Sequence, residues 1–324
     1  MRRRNWRSMV LLVVAAGAAA LAGVVVPGTD AARGQAGPGA VGGADGATTA
    51  PVDAPDGRRV FYCSHSLMWD IPDPLGELAT AYGIKNHALV GHERMGFSTT
   101  LQHWDQANAQ NQSKKALDTR EVEDFIMSPM ELPDAGIENF VKYGLQKNPA
   151  TRFYVQNNWA MFNADMQKAH AAMGQIGQVN WDATTLNQIR TLNAENEKEC
   201  EKQVDAINKE AGRTVIYIIP TSQANATLRA RIIAKEFPGL EKQSEIFADA
   251  IGHPKPAAVA LNAYVHFAVI YRRSPVGLPM PTVLKRANNP KWDEAFNKRL
   301  QEIAWDTVRR YPYSGVAVAL AMMP

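Results

Sequence analysis

Three residues of types that act together in hydroxyl-based catalysis occur along the chain: Ser66, Asp249 and His253. Ser66 follows the apolar run RVFYC, and the other two lie in the block DAIGHP. Attack by a serine hydroxyl needs a base that takes its proton and a group that orients the base. On a helical turn, residues at i and i+4 share a face, so Asp249 and His253 can touch. The three residues predict acyl-transfer chemistry.

Ordinary structural roles for the same residues stay open. A serine in front of a helix is favoured as a turn or capping residue, and an Asp-His pair in a loop is often a surface hydrogen bond. An anionic intermediate would also need N–H donors, which the turn before a helix supplies, including the amide of Ser66 itself.

The elements that must position these side chains are short apolar runs that alternate with helical patterns. The predicted strands are RVFYC, HALVG, VEDFIMS, RFYVQNNW and RTVIYIIP. The predicted helices are DPLGELATAYG, LQHWDQANAQNQSKKAL, DAGIENFVKYGLQKNP, residues 181–212, AAVALNAYVHFAVIY and the final PKWDEAFNKRLQEIAWDTVRRYP. Such alternation favours an α/β fold in which helices cover both faces of a parallel sheet.

Ligands of open parallel sheets bind beyond the carboxyl ends of the strands. The segments predicted as loops at that edge are SHSLMWD, GHERMGFSTTLQHWD, SPMELPD, QNNWAMFNAD and PTSQA, together with FADAIGHPKP before the next helix. These loops are rich in His, Ser, Asn, Asp and Trp, which predicts a functional site there.

The chain resembles the SGNH/GDSL hydrolases, in particular exported bacterial-type members, over roughly residues 60–271. The block CSHSLMWD matches the family's nucleophile block at Ser66, and DAIGHP matches its late Asp-His block. The resemblance implies a three-layer α/β/α sandwich, flavodoxin-like, with a central parallel sheet of about five strands. It also implies Ser66 as nucleophile, His253 as base, Asp249 as orienting acid and Gly96, in GHERMGFS, as an oxyanion donor.

Three departures from the family pattern concern the same blocks. Ser64-His65 stands where the family has Gly-Asp, and three residues rather than two separate Asp249 from His253. The third block, MSPMELPD, lacks the asparagine that supplies an amide to the oxyanion hole. Ser128 or Asn157 are the candidate replacements for that donor. His65 either lines the pocket or has a structural role beside it.

Histidines and tryptophans near the same loops have alternative readings. His65, His92 and His103 could form a metal site, but no HExxH or short His-x-His spacing is present, so we predict no metal. Trp69, Trp104 and Trp159 either stack on sugar faces or anchor the loops as hydrophobes.

The N-terminal segment has the pattern of an export signal: MRRRNWR, an 18-residue apolar run, and a small-residue stretch. We predict a signal over 1–36, a flexible linker over 37–57 and a single hydrolase domain over 58–324. An uncleaved membrane anchor through residues 9–26 is the alternative. The expected location is secreted or periplasmic, with contact to a membrane only if the leader stays.

Removal of residues 1–36 would leave 30 basic and 31 acidic residues, a net charge of −1 in place of +3. No basic patch then argues for nucleic acid as a partner. Cys63 and Cys200 could pair in an exported protein, but nothing places them within disulfide distance, and two free thiols are the favoured state.

These observations together predict an exported serine esterase without a cofactor, acting on a small-molecule or carbohydrate ester. The alternative is a catalytically weak or inactive protein of the same fold that binds a carbohydrate or other ligand. A metal-dependent hydrolase using the loop histidines is a weaker third hypothesis.

Overall fold

The computed structural model describes residues 54–160 and 179–316. The predicted signal (1–36), the linker up to residue 53 and the alternative anchor (9–26) lie outside the described residues. Within the described part, no helix has both the length and the apolar character needed to cross a bilayer.

A five-stranded parallel sheet forms the centre of the molecule. The strands are β1 (Arg59–Ser64), β2 (Ala88–Arg94), β3 (Asp124–Ser128), β4 (Arg152–Gln156) and β5 (Ile216–Ile219). Their order is β2-β1-β3-β4-β5, and every neighbouring pair is parallel. This arrangement confirms the predicted α/β fold and its strand number.

Side-chain alternation along β1 shows why helices cover both faces of the sheet. Val60 and Tyr62 lie in one apolar cluster, whereas Phe61 and Cys63 lie in the other. All four are nearly inaccessible to solvent. Because successive side chains of a strand point to opposite faces, a strand that is apolar at every position must be buried on both.

The helices of the described residues form the two outer layers. They are α1 (Pro72–Tyr82), α2 (Thr100–Trp104), α3 (Gln112–Asp118), α4 (Ala135–Lys147), α5 (Leu186–Ala211), α6 (Thr221–Ile233), α7 (Pro256–Tyr271), α8 (Thr282–Arg286) and α9 (Glu294–Arg310). Core residues of α1, α6, α7, α8 and α9 pack on the Val60 face, and those of α3, α4 and α5 pack on the Phe61 face.

Helix α7 is buried along nearly its whole length, from Ala257 to Tyr271. A helix that is apolar on all sides belongs in a protein interior, where its neighbours fix it. It begins three residues after His253, so the late Asp-His block is attached to one of the most fully buried elements of the core.

One helix prediction and one loop prediction were wrong in detail. The pattern over 101–117 predicts one helix, but α2 ends at Trp104 and α3 begins at Gln112. Asn111 separates them, because its side-chain amide donates to the His103 carbonyl (2.8 Å) and its side-chain oxygen accepts from the Lys114 amide (2.8 Å). The segment PTSQA is also not a loop, since α6 begins at Thr221.

The strand order reverses its direction between β1 and β3. From β1 the chain moves outward to β2 and then returns to β3 on the other side of β1. The loops that leave β1 and β3 therefore run in opposite directions at the carboxyl edge of the sheet, which is where ligands of such sheets bind. Ser66 lies two residues beyond the end of β1.

Candidate active site

The turn after β1 presents Ser66 at the carboxyl edge of the sheet. Ser66–Met68 form one turn of 3-10 helix, in which Leu67 and Met68 are buried while Ser66 is partly exposed. The two apolar side chains anchor the turn in the core. As the first residue of this helical turn, Ser66 has a backbone amide with no partner inside the turn.

Ser66, His253 and Asp249 form a continuous hydrogen-bonded chain. The Ser66 Oγ lies 2.7 Å from Nε2 of His253, across 187 positions of sequence. On the other side of the imidazole, Nδ1 lies 2.5 Å from Oδ2 of Asp249. A proton on Nδ1 lets His253 donate to the carboxylate and accept from the serine hydroxyl, so one tautomer satisfies both contacts.

The block that carries Asp249 and His253 is a tight loop, in the segment that the sequence predicts as a loop. Phe247 and Pro254 form an isolated antiparallel bridge, and Gly252 between them has a φ of 89°. The Asp249 Oδ1 accepts from the amides of Gly252 (3.0 Å) and His253 (3.2 Å), which fixes the carboxylate. The left-handed glycine supplies the turn that brings the imidazole back over it.

Two buried tryptophans hold this loop from below. Trp159 donates its indole N–H to the Gly252 carbonyl at 3.0 Å, and Trp181 donates to the Asp249 carbonyl at 3.0 Å. Trp159 thus anchors a loop, one of the two roles considered for it. Trp104 packs edge-on against Phe140 in the core, and Trp69 remains partly exposed beside Ser66.

Opposing effects act on the Asp249 carboxyl group. Partial burial raises its pKa, but hydrogen bonds from the His253 ring and amide and from the Gly252 amide outweigh burial, and the pKa falls below its ordinary value. The carboxylate is therefore ionised throughout the range in which serine hydrolases work, as an orienting acid requires.

His65 lies behind the Ser66 turn as a buried cap. Its Nδ1 accepts from the Leu67 amide (3.3 Å), and its Nε2 lies 3.1 Å from the Ser128 Oγ. Burial lowers the pKa of His65 to about 4, so the ring is neutral at physiological pH. Of the two roles predicted for His65, the structure places it in the position of a structural support.

A chain of buried polar side chains, joined by hydrogen bonds, continues from His65 along the sheet. Asn158 donates to the Ser128 Oγ (3.2 Å) and to the Pro129 carbonyl (3.0 Å), and accepts from Gln156 (2.6 Å). Gln156 accepts in turn from the Nε2 of His266 on α7 (2.8 Å). Sequence reasoning missed Asn158, Gln156 and His266; the consecutive polar residues at the end of β4 were the signal available for the first two.

The remaining oxyanion candidates lie around this chain. The Ser128 hydroxyl is engaged by His65 and Asn158. Asn157 is buried and accepts through its side-chain oxygen from Asn196 (2.7 Å), while its amide nitrogen has no hydrogen-bond partner among the described residues. Gly96 is exposed, and a Cβ on it would lie 3.8 Å from the ring of Trp69.

A second buried polar cluster supports the loop that carries Gly96. His103 lies 2.9 Å from the Ser98 Oγ through Nε2 and 3.4 Å from the Glu93 carboxylate through Nδ1. Ser98 donates to the Met95 carbonyl (2.9 Å), which closes the loop around Gly96. Burial raises the pKa of Glu93, but the nearby His103 and the hydrogen bond from the Ser113 amide lower it by more, so the net pKa lies below its ordinary value. Ser98 is fully buried, so this Ser-His-Glu cluster has no access to a substrate.

The three histidines considered for a metal site have separate partners. His65 binds the Leu67 amide and Ser128, His103 binds Ser98, and His92 Nε2 lies 2.7 Å from the Ser64 Oγ. Within residues 54–160 and 179–316, no group of three His, Cys, Asp or Glu side chains is arranged to hold a metal ion. Cys63 and Cys200 are both free and buried.

Comparison with solved structures identifies two similar chains. A DUF4886 family protein from Bacteroides uniformis ATCC 8492 aligns with a TM-score of 0.50 and 15% identity, over 78% of this chain and 95% of that one. A candidate GDSL-like lipase from Parabacteroides merdae ATCC 43184 aligns with a TM-score of 0.40 and 10% identity, over 66% and 95%. No family model and no curated protein matches the sequence.

These likenesses bear on the fold alone. At 15% identity, the Bacteroides protein shares the architecture of this chain, and fold does not imply function. The similarity to the lipase candidate is too low to carry an argument. The chemistry of the site itself is what indicates a function.

Proposed function

We propose that this protein is an exported serine esterase of the SGNH/GDSL type, with Ser66 as nucleophile, His253 as base and Asp249 as the acid that orients the base. The observation that carries the proposal is the contact of 2.7 Å between the Ser66 Oγ and the His253 Nε2, with Asp249 at 2.5 Å on the far ring nitrogen. If Ser66 were only a turn residue and Asp249-His253 only a surface pair, neither role would require Ser66 to contact His253.

The proposed reaction has two halves. The Ser66 Oγ attacks the ester carbonyl carbon as His253 Nε2 takes its proton, and the tetrahedral intermediate collapses to an acyl-serine while His253 returns that proton to the departing alkoxide. Water, deprotonated by the same nitrogen, then attacks the acyl-serine, and His253 returns the proton to the Ser66 Oγ as the carboxylic acid leaves. Asp249 stabilises the imidazolium that forms in each half.

The oxyanion would be stabilised mainly by backbone donors. The amide of Ser66 is free at the start of its turn, and the exposed loop at Gly96 offers a second amide, as the family resemblance implies. The Leu67 amide is occupied by His65. Because loss of one donor costs about 10²–10³ in rate, we expect a slower enzyme than one with a complete set of three donors.

The hydrogen bonds that Ser128 already makes also favour a second candidate function. With Ser128 bonded to His65 and Asn158, no polar side chain from the end of β3 remains free for the oxyanion. A protein of this fold that binds a carbohydrate or other ester-like ligand without turning it over would fit that arrangement. The partly exposed Trp69 beside Ser66 supports a sugar ring as part of the ligand in either case.

Covalent labelling separates the two functions. The wild-type protein should react with a fluorophosphonate probe at Ser66 and hydrolyse short-chain aryl esters, and Ser66→Ala should lose both by at least about 10³-fold. Ser244→Ala is the matched control, since Ser244 is also partly exposed and its hydroxyl bonds Asp182. Labelling and turnover that survive Ser66→Ala would eliminate the esterase.

A further inference from the structure

Arg94 is an exposed cation on the rim of the candidate active site. It is the last residue of β2 and pairs in register with Ser64, two positions before Ser66. Its Nε donates to His92 Nδ1 at 3.2 Å, and its Nη2 donates to the Trp69 carbonyl at 3.4 Å. The guanidinium carbon lies 6.0 Å from the centroid of the Trp69 ring. The side chain is thus held in place rather than loose in solvent.

The anchor for this cation is the same turn that presents the nucleophile. The Trp69 backbone amide donates to the Ser66 carbonyl at 3.4 Å, and the Trp69 indole donates to the Ser64 carbonyl at 3.2 Å. Gly96, the candidate oxyanion donor, also lies beside Trp69, since a Cβ on it would be 3.8 Å from the indole ring. The guanidinium, the indole and the Ser66 turn are therefore neighbours at the carboxyl edge of the sheet.

No carboxylate of the described residues forms an ion pair with Arg94. Asp70 is exposed and follows Trp69 directly, yet it is not within ion-pair distance of the guanidinium. His92 adds no charge, because burial and the neighbouring guanidinium lower its pKa to about 4. Arg94 uses two of its five N–H donors on the contacts above, and the others are available to a ligand.

We propose that Arg94 binds an anionic group of the substrate, so that the natural ester carries a carboxylate, sulfate or phosphate near the scissile bond. This inference rests on the proposed function and deepens it. The planar guanidinium matches the oxygens of such groups in a bidentate geometry that lysine cannot reproduce. A bound ester that covers the rim would also exclude water from the pair and strengthen it.

A purely structural role is the competing explanation for Arg94. In that role it fixes the Trp69 carbonyl, and its loss would reduce turnover of every ester equally. Substrate charge and ionic strength separate the two roles. A residue that only fixes the Trp69 carbonyl affects neutral and anionic substrates equally, whereas an exposed charge pair is screened by salt.

The experiment compares kcat/KM for three aryl esters: neutral 4-nitrophenyl acetate, mono-4-nitrophenyl glutarate with its carboxylate on the acyl side, and 4-acetoxybenzoate with its carboxylate on the leaving group. The proteins are wild type, Arg94→Gln, Arg94→Lys and Arg94→Glu. Arg120→Gln is the control, since Arg120 is exposed and precedes β3 at the opposite edge of the sheet.

We expect Arg94→Gln to lower the anionic-to-neutral ratio about tenfold for at least one of the two anionic esters, Arg94→Lys to lower it less, and Arg94→Glu to lower it further. The wild-type ratio should fall towards that of Arg94→Gln at 1 M salt. The carboxylate position that responds identifies the side of the ester that faces Arg94. Equal losses for all three esters, or a ratio insensitive to salt, would refute the inference.

A binding measurement keeps this test separate from the esterase proposal. In the Ser66→Ala background, the intact glutarate ester should bind about tenfold more tightly with Arg94 present than with Arg94→Gln, whereas the neutral ester should bind equally to both. Equal affinity for the anionic ester would overturn the Arg94 inference even if Ser66 proves to be the nucleophile. If turnover is absent altogether, this binding difference still decides the inference.

Discussion

At the scale of single residues, the site depends on which atom of each side chain holds a proton. Asp249 stays ionised because its hydrogen bonds outweigh partial burial, and it holds the proton of His253 on Nδ1. The free Nε2 then faces the Ser66 hydroxyl. An amide in place of the carboxylate would present an N–H to Nδ1 and favour the tautomer with its proton on Nε2, which cannot accept from serine.

The first prediction at this scale concerns Asp249→Asn. We expect kcat for an aryl ester to fall by about 10²–10⁴-fold with little change in KM, since the variant has the wrong tautomer but an intact pocket. Asp182→Asn, on a carboxylate that bonds Ser244 instead, is the control and should leave kcat unchanged. Equal rates for wild type and Asp249→Asn would exclude Asp249 from the proposed mechanism.

The pH dependence of stability tests the same carboxylate. A group whose folded pKa is depressed stabilises the fold above its unfolded pKa and loses that contribution as the pH falls through the folded value. The difference in unfolding free energy between wild type and Asp249→Asn should therefore be constant near pH 7 and shrink only below the ordinary carboxyl pKa of about 4. Urea titrations at a series of pH values measure it.

At the scale of elements, the loop from Phe247 to Pro254 decides where the imidazole lies. It is attached to the buried helix α7, closed by a β-bridge, and held by two indole N–H groups. Its one demanding position is Gly252, with a φ of 89° and an added Cβ only 3.1 Å from the Trp159 Nε1. A side chain there is strained and also presses on the tryptophan that holds the loop.

Gly252→Ala should therefore reduce activity as well as stability. We expect a loss of about 1–3 kcal/mol in unfolding free energy and at least a tenfold fall in kcat, as His253 shifts from Ser66. Gly212→Ala is the matched control, because Gly212 also has a positive φ (65°) but an added Cβ meets nothing within 4 Å. It should cost about 1 kcal/mol and leave kcat unchanged. A Gly252→Ala variant with wild-type kcat would show that the loop does not fix the imidazole.

At the scale of the whole molecule, the buried polar chain joins the Ser66 turn to helix α7. It runs from His65 through Ser128, Asn158 and Gln156 to His266 on α7, across β1, β3 and β4. Both terminal histidines are neutral, since burial lowers the pKa of His65 to about 4 and that of His266 to about 3. The elements that carry Ser66 and His253 are thus connected through uncharged hydrogen bonds.

The whole fold should consequently lose stability in mild acid. Each buried neutral histidine has a folded pKa below its unfolded value of about 6.5, so the unfolded state binds the extra proton and stability falls between about pH 6.5 and 4. Complete protonation of His65 in the unfolded state would by itself lower the unfolding free energy by about 3 kcal/mol. His266→Gln keeps an amide N–H for Gln156. It should reduce the slope of unfolding free energy against pH by the amount that corresponds to about one bound proton. An unchanged slope would contradict a neutral His266.

The sequence by itself determined the sheet and its edge. Short apolar runs rich in β-branched and aromatic residues predict strands buried on both faces, which holds for β1 but not for the edge strand β2, where Leu89 and Val90 are exposed. The helical patterns between the runs favour parallel pairing. It also placed Ser66 after β1 and marked Asp249 and His253 as a pair. Local pattern failed where side-chain capping overrode it, as at Asn111, and where a loop was expected in place of α6.

Only the tertiary structure decided which of these residues meet. The contact between Ser66 and His253 spans 187 positions, and it depends on the packing of α7, a left-handed glycine and two indoles that no local pattern connects. The chain through Asn158 and His266, and the position of Arg94 over Trp69, depend on neighbouring strands and layers in the same way. Sequence periodicity records which way a side chain points within its own element, whereas a contact between elements is set by packing.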